Sequence, residues 1–330
     1  MKAKSNDVVT VCLRGAGQVF FMESALAGCL FIVAIAYASH ETAQWSTTAG
    51  AVFGLVVATL AALWLNHDQA ATRSGLYGFN GMLTGLALAT FVAPSPSLWF
   101  SIALGAAVST VATGAFAAVL TKTRGIPGST GPFVLIAWLM LAGIGAVGPP
   151  NAASVVLLPG HPASAYLGGV APIPAADELL QIFFRNIAQV FLLESAVSGA
   201  IILLGIVFAS WRAAVAAAAG SAVAMICALV LQMDPVMVMR GLYGFSPVLT
   251  AMAVGVVFLR TSVRVAAYAL LATVATVCVQ AAFNVLMAPI GLPVLTAPYV
   301  LVMYLFVAAK PIFFLAVGGT DSMHKTSPHA

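Results

Sequence analysis

Charge is scarce in this sequence of 330 residues. Asp, Glu, Lys and Arg together make up 7% of the chain, whereas 62% of the residues are hydrophobic. A soluble domain carries about 25% charged residues, so the composition excludes an ordinary soluble protein and predicts an all-α integral membrane protein. The formal net charge of +4 comes from basic residues scattered one or two per loop, a pattern that does not indicate a nucleic-acid partner.

The sequence also lacks the residue clusters that chemistry and metal binding require. Its four cysteines have neither metal nor redox spacing, and its five histidines all fall in predicted loops or in the C-terminal tail. This placement excludes a channel that shuttles protons through paired histidines in a pore. No group of His, Cys and acidic residues has the spacing of a metal site. We therefore predict no catalytic residues, no metal and no cofactor, and a protein that is not an enzyme.

Long apolar runs dominate the chain. A bilayer-spanning helix takes about 17–25 residues, and ten runs of roughly that length lie at residues 19–38, 48–65, 76–93, 98–120, 130–148, 187–209, 211–231, 242–259, 263–286 and 294–317. A proline-rich segment at 149–183 separates the first five runs from the last five, and a polar tail occupies 318–330. The pattern predicts two membrane domains, 1–148 and 184–317, joined by a linker.

Three short segments occur twice, once in each predicted domain. The run Gly-Leu-Tyr-Gly-Phe occupies 75–79 and recurs 166 positions later at 241–245; the other two pairs are 13–25 with 184–196, and 125–134 with 291–300. The sequence therefore predicts a structural duplication. Glycines next to aromatic rings indicate a helix broken at membrane depth, which is tolerated where the backbone is buried in protein or lines a cavity. We expect broken or re-entrant helices at the duplicated segments, with the pore among them.

The number of spans per domain bears on their orientation. Two copies of a unit with five spans must cross the membrane in opposite directions, which predicts inverted repeats. With the N-terminus in the cytoplasm, the lysines and arginines fall on the inner side except Arg185 and Arg240. This distribution satisfies the positive-inside rule and places both termini in the cytoplasm.

Paired polar side chains mark two of the duplicated segments. Gln18 and Gln189 come where a predicted span begins, and their amide oxygens could accept hydrogen bonds from a solute that carries N–H groups. A helix cap or an interhelical hydrogen bond is the structural alternative.

Thr130 and Thr296 each lie in the pattern Pro-x-x-Thr-x-Pro. If an axis in the membrane plane relates the halves, these threonines face each other near the bilayer centre; a kinked helix whose hydroxyl binds its own backbone is the alternative.

Aromatic and acidic residues give two further candidates. Phe21, Phe79 and Phe245 lie at or near the duplicated segments, where flat rings could form a slot for a flat solute; ordinary packing is the alternative.

Glu23 and Glu194 are the acids predicted inside spans, and intramembrane acids are candidates for function. A proton-coupled carrier of a small amide or weak acid could use them, whereas a pair of acids near helix starts would be structural.

The duplicated motifs resemble those of the urea transporter family. The resemblance is carried by Arg-x-x-x-Gln-Val-Phe at 14–20 and 185–191, by the Gly-Leu-Tyr-Gly-Phe pair, and by the two Pro-x-x-Thr-x-Pro segments. It covers the chain from about residue 13 to residue 310. It implies ten transmembrane helices in two inverted five-helix repeats, a homotrimer, and a channel-like passive path for urea in each protomer. A location in the lipid bilayer of the inner membrane is the corresponding expectation.

The resemblance also implies roles for individual residues. Gln18 and Gln189 would offer oxygens to urea at the two mouths of the pore, and Thr130 and Thr296 would flank its narrow middle. The slots would be built from aromatic rings with leucines on their walls, namely Phe21, Phe79, Phe245, Leu83 and Leu249. The two halves differ at equivalent positions, since Leu192 stands where the first half has Phe21, and Ser246-Pro247 where it has Asn80-Gly81.

Overall fold

The computed structural model describes residues 8–146 and 174–309, and these fold into helices joined by short turns. The first half contains α1 (Val8–Gln18), α2 (Ala25–Glu41), α3 (Trp45–Trp64), α4 (Gln69–Arg73), α5 (Gly78–Phe91), α6 (Pro96–Phe116), α7 (Lys122–Arg124) and α8 (Gly131–Ala146). The second half contains α9 (Ala176–Ala188), α10 (Ala196–Ala209), α11 (Trp211–Val230), α12 (Pro235–Met239), α13 (Phe245–Met252), α14 (Val263–Met287) and α15 (Ala297–Ala308). The prediction of an all-α protein is confirmed.

Not all of the helices are long enough to cross a bilayer. Among the described residues, four helical stretches have the length and apolar composition of a span, namely Trp45–Trp64, Pro96–Arg124, Trp211–Val230 and Val263–Ile290. A fifth is obtained if Ala176–Phe191 and Ala196–Ala209, which are bent by 73°, are counted together. The predicted count of ten spans is not confirmed, because several of the apolar runs are interrupted by turns and form shorter helices.

The interruptions occur at equivalent places in the two halves. Five pairs of residues with positive φ recur at an offset of 166 or 171 positions: Phe21 with Leu192, Asn66 with Gln232, Gly75 with Gly241, Gly125 with Gly291, and Ser129 with Leu295. Left-handed backbone is uncommon for residues other than glycine, so its recurrence at matched positions shows that the halves follow the same backbone path. The segments that recur in the sequence therefore also contain turns at equivalent positions.

The predicted start of one span in each half was wrong. The sequence placed Gln18 and Gln189 at the beginnings of spans, but Gln18 is the last residue of α1 and Gln189 opens a 3₁₀ turn directly after α9. The chain turns at 19–24 and again at 192–195 before α2 and α10 begin. Ser24 and Ser195 then cap α2 and α10, each accepting a hydrogen bond from a backbone N–H three residues ahead. Serine favours such a cap.

The two halves pack directly against each other. The hydroxyl of Ser198 in α10 donates to the carbonyl of Ala34 in α2 over 2.8 Å, and the rings of Phe20 and Phe191 lie 5.7 Å apart. Phe20 and Phe191 are equivalent residues of the duplicated segments, and both are fully buried. The core of the described structure therefore includes the contact between the halves.

The predicted linker and tail lie mostly outside the described residues. Helix α9 begins at Ala176, so residues 176–183 at the end of the predicted linker 149–183 are helical. Residues 149–173, the end of the second predicted domain at 310–317 and the predicted tail at 318–330 fall outside the part of the chain that the structure describes.

Candidate functional site

Two threonines from opposite halves meet in the interior. The hydroxyl of Thr296 donates to the hydroxyl of Thr130 over 2.8 Å, and both residues are almost fully buried. Each threonine follows a residue with left-handed backbone, Ser129 (φ 47°) or Leu295 (φ 52°), and directly precedes a helix, α8 or α15. The turn thus delivers each hydroxyl to the end of a helix rather than to its side. The prediction that these two threonines face each other is confirmed.

Aromatic rings surround the turn that carries Thr130. The hydroxyls of Tyr299 and Ser129 are 2.6 Å apart, and the ring of Tyr299 is packed edge-on against Phe21 at 6.3 Å. Phe21 also contacts Phe258 edge-on at 5.6 Å. Phe21 was predicted as a site residue, whereas Tyr299, the second-half equivalent of Phe133, was not. Its only sequence signal was its position three residues after a predicted site threonine.

Asn80 is a second residue that the sequence reasoning did not single out. Its side-chain nitrogen donates to Thr113 Oγ1 at 3.0 Å and to the carbonyl of Ser129 at 3.3 Å, while its oxygen accepts from the N–H of Phe133 at 3.2 Å. One buried amide therefore ties α5 to both sides of the turn that holds Thr130. The available signal was the Asn-Gly pair that follows Gly-Leu-Tyr-Gly-Phe in the first half.

The equivalent position in the second half is occupied by Ser246. Its hydroxyl oxygen is buried and has no hydrogen-bond partner among the described residues. Serine is shorter than asparagine, so it cannot span to the turn at Leu295 in the way that Asn80 spans to Ser129. The two halves thus deliver equivalent threonines, but a side-chain amide braces only the first of the two turns.

The paired glutamines are held by equivalent contacts. Gln18 Nε2 donates to the carbonyl of Ser74, and Gln189 Nε2 donates to the carbonyl of Arg240, both over 2.9 Å. Ser74 and Arg240 directly precede the two copies of Gly-Leu-Tyr-Gly-Phe. Each amide nitrogen therefore joins one duplicated segment to another, which fixes the orientation of the amide and leaves its oxygen as the acceptor.

Arginines reinforce the same junctions. Arg14 Nη1 donates to the carbonyl of Arg73 at 3.2 Å, and Arg185 Nη1 donates to the carbonyl of Met239 at 2.9 Å. These carbonyls are one residue before those that bind the glutamines. Each junction is thus held by one arginine and one glutamine. The two residues are four positions apart, so their side chains lie on one side of the chain at the end of α1 or α9.

Short capped helices lead into the Gly-Leu-Tyr-Gly-Phe turns. Asp68 Oδ1 accepts from the N–H groups of Ala70 and Ala71 at 2.8 and 2.9 Å, and Asp234 caps α12 in the same way. The N–H groups of Ala71 and Ala70 hold the pKa of the Asp68 carboxyl below its usual value.

Gly75 and Gly241 then turn the chain with φ of 83° and 78°, and a Cβ at Gly75 would lie 2.3 Å from the backbone nitrogen of Gly15. Only glycine meets both conditions.

The predicted slot residues lie in one hydrophobic cluster. Phe79, Leu83, Phe245 and Leu249 are each at most 6% exposed, and Phe21 packs against the same cluster. Phe79 and Leu83 are one turn apart in α5, and Phe245 and Leu249 are one turn apart in α13. The apolar site residues therefore form one buried pair in each half, with Phe21 beside the same core, whereas Gln18 and Gln189 are held at the junctions described above.

The two candidate acids are not enclosed in spans. Glu23 and Glu194 lie in the turns before α2 and α10, and both are exposed. Glu194 forms an ion pair with Arg240, whose Nε donates to Glu194 Oε1 at 2.8 Å. The prediction that these acids lie well inside spans is wrong, because the helix that was expected to contain them begins only after the turn.

Within 8–146 and 174–309, no three His, Cys, Asp or Glu residues are grouped so that they could hold a metal ion.

Comparison with known sequences identifies the family of the chain. The family model described as urea transporter matches residues 9–311. Urea transporter 1 of Ovis aries is 28% identical over 308 residues, which cover 92% of this chain and 78% of that protein. Urea transporter 1 of Mus musculus is 29% identical over 304 residues, which cover 89% and 75% respectively. The chain is therefore an integral membrane protein and a transporter rather than an enzyme, and it belongs to the urea transporter family.

Proposed function

We propose that the chain conducts urea passively through a channel-like pore in each protomer. The observation that carries the proposal is the contact between the Thr130 and Thr296 hydroxyls, which come from equivalent turns of the two halves. A hydroxyl both donates and accepts, so the pair can exchange its mutual hydrogen bond for bonds to a passing solute. Membership of the urea transporter family, and similarity to proteins named urea transporter 1, support urea as that solute.

The chemistry of urea matches the residues around this contact. Urea is flat and neutral, with N–H donors on both sides of one carbonyl oxygen. The amide oxygens of Gln18 and Gln189 and the threonine hydroxyls supply acceptors, while Phe21, Phe79 and Phe245, with Leu83 and Leu249, supply apolar walls. A flat solute that exchanges its hydrogen bonds to water for bonds to these acceptors is dehydrated at low cost. An ion would lose its hydration shell without compensation. Several weak sites in series permit entry without trapping.

An inverted repeat accounts for the contacts between the halves. Phe20 meets its equivalent Phe191, and Thr130 meets its equivalent Thr296. Equivalent residues touch each other where a two-fold axis passes between them. Ten spans arranged as five per half, in 1–148 and 184–317, place that axis in the membrane plane. The proposal includes the linker at 149–183, a cytoplasmic tail at 318–330, both termini in the cytoplasm, a homotrimer and the inner membrane.

The proton-coupled carrier receives less support from the structure. That alternative requires Glu23 and Glu194 to bind protons inside the transport path. Both acids are exposed, and Glu194 is paired with Arg240. Acids in contact with solvent are not enclosed in a path across the membrane, which is where a coupling site has to bind its proton.

Urea flux with and without a proton gradient distinguishes the two mechanisms. The protein is reconstituted into liposomes, and urea-driven volume change is followed by stopped-flow light scattering, with protein-free liposomes as the baseline. We expect rapid urea flux that is the same with and without an imposed pH gradient. Flux that requires the gradient would contradict a passive channel and favour the carrier, and flux no greater than the baseline would contradict urea transport.

A further inference from the structure

A lateral groove of about 350 Å³ lies beside the second half and away from the threonine contact. It runs between α11, the π-helical turn that follows α13, and α14, and it is lined mainly by Val215, Ala219, Gly255, Val256, Ala266 and Leu270. Its sides are open, because Val215 and Leu270 are 59% and 52% exposed. An apolar groove on the outside of a membrane protein faces lipid or another protein.

The helix contact beside the groove is looser than its equivalent in the first half. In the first half, α3 and α5 touch through glycines: a Cβ at Gly54 would lie 2.3 Å from the carbonyl oxygen of Gly81, and a Cβ at Gly85 would lie 2.1 Å from that of Gly50. The second-half equivalents of these four residues are Ala216, Gly220, Pro247 and Ala251. In the second half a Cβ at Gly220 would lie 2.8 Å from the Cβ of Ala251 and 3.0 Å from the carbonyl oxygen of Pro247, so α11 and α13 touch less closely than α3 and α5.

One end of the groove carries a cation. Arg212 lines the groove and is exposed, and its guanidinium lies 5.6 Å from the ring centre of Trp211. In the first half the equivalent residues are Trp45 and Ser46. The tryptophan is thus present in both halves, whereas the arginine is found only in the second.

We propose that this groove binds an anionic phospholipid, with one acyl chain along the apolar lining and the phosphate at Arg212. A guanidinium can form paired hydrogen bonds to phosphate oxygens. Arg212 lies on the side that the positive-inside rule assigns to the cytoplasm, where anionic lipids are abundant. The inference concerns a lipid site and does not depend on urea being the transported solute.

A second copy of the chain fits the groove less well. Covering the open side with an apolar protein face would bury Arg212, and a buried charge without a partner is strongly unfavourable. A lipid instead brings its own negative charge to that position and leaves the guanidinium at the headgroup level. Charge complementarity at Arg212 and the apolar lining along the rest of the groove therefore favour a lipid.

The test measures which lipid stays with the full-length protein. Wild-type protein is reconstituted into nanodiscs of nine parts phosphatidylcholine to one part phosphatidylglycerol, re-extracted in mild detergent, and the retained lipids are quantified by mass spectrometry. We expect phosphatidylglycerol to be enriched about fivefold over its share in the disc, as one arginine near the membrane surface contributes about 1 kcal/mol towards an anionic lipid. Arg212→Gln should abolish that enrichment.

Three further variants make the result specific. Arg124→Gln removes an exposed arginine outside the groove and should retain the enrichment. Ala219→Phe fills the groove and should lower the total amount of retained phospholipid. Ser46→Arg places an arginine at the equivalent position of the first half, where Phe53 stands in place of Ala219, and should add no enrichment.

Other outcomes would overturn the proposal. Equal losses from Arg212→Gln and Arg124→Gln would show a general charge effect and no site. If Ala219→Phe leaves the retained lipid unchanged, the groove does not hold an acyl chain. If Ala219→Phe changes the mass of the assembly in native mass spectrometry while lipid retention is unaltered, the groove is an interface between copies of the chain.

Discussion

Thr296 donates a hydrogen bond to Thr130, its equivalent in the other half, across 2.8 Å of buried space. Each hydroxyl lies immediately before a helix and immediately after a residue with left-handed backbone. Two chain breaks therefore converge on one buried polar contact. Because the contact joins equivalent residues, a change at either threonine acts on the same point of the proposed pore.

The glutamine anchors give a first prediction. Gln18→Leu removes the acceptor oxygen and the bond to the Ser74 carbonyl, and should lower urea flux about three- to tenfold, the equivalent of one hydrogen bond. Gln18→Glu keeps an acceptor but places a carboxylate against that carbonyl, so it should also lower the flux. The measurement is stopped-flow urea flux, and Gln44→Leu, at an exposed position before α3, serves as the control. Wild-type flux in Gln18→Leu would show that the amide is only structural.

The brace at Asn80 gives a second prediction. Asn80→Leu leaves the buried N–H of Phe133 without its acceptor, which should destabilise the protein by about 1–3 kcal/mol. The expected result is a lower melting temperature of the purified protein, together with a loss of urea flux because the turn that holds Thr130 is no longer fixed. Thermal unfolding in detergent and flux in liposomes are the two measurements.

Ser246 provides the matched test of that interpretation. Ser246→Asn adds the amide that the second half lacks, and should leave the melting temperature unchanged or raise it. Asn80→Ser gives the first half the residue found in the second, so it should be milder than Asn80→Leu. An Asn80→Leu protein as stable as the wild type would contradict the role of Asn80 as a brace.

The glycine contact between α3 and α5 gives a third prediction. Gly85→Ala puts a Cβ 2.1 Å from the carbonyl oxygen of Gly50, so the helices must separate, at a cost of about 1–3 kcal/mol. Gly143 in α8 has nothing within 4 Å of the added Cβ, and Gly143→Ala should be neutral or slightly stabilising. Thermal unfolding of both variants decides the point: equal melting temperatures would show that the close contact is not required.

The acids give a fourth prediction. Glu23→Gln and Glu194→Gln should each leave urea flux within about twofold of the wild type, with or without a pH gradient. Loss of the pair between Glu194 and Arg240 should change stability little, since an exposed ion pair contributes about 0–1 kcal/mol. Flux assays at two imposed gradients test this, and abolished transport in both variants would revive the proton-coupled mechanism.

The sequence predicted the features that depend on composition and repetition. The all-α membrane class followed from the scarcity of charge, and the facing of Thr130 and Thr296 followed from duplicated proline motifs. A repeated motif reports equivalent positions, and equivalent positions can meet at a symmetry axis without any knowledge of the intervening helices.

The position of the break after α1 was harder to predict because hydropathy does not change there. Residues 19–24 are apolar enough to continue a span, yet Phe21 adopts φ 64° and α2 begins only at Ala25. This error placed Glu23 inside a helix and Gln18 at the start of one. Asn80 and Tyr299 were missed for a related reason, since their partners lie 33 to 170 positions away in the chain and no local pattern identifies them.

The most direct test of the central claim is urea flux through variants of the threonine contact. Thr130→Val and Thr296→Val keep the shape of the side chain and remove its hydroxyl, whereas Thr273→Val, at a buried threonine that bonds its own helix, is the control. The account predicts that each single variant lowers flux about tenfold, the equivalent of one hydrogen bond. It also predicts that the double variant loses less than the product of the two. Wild-type flux in the double variant, with the protein folded and reconstituted, would contradict a urea pathway through this contact.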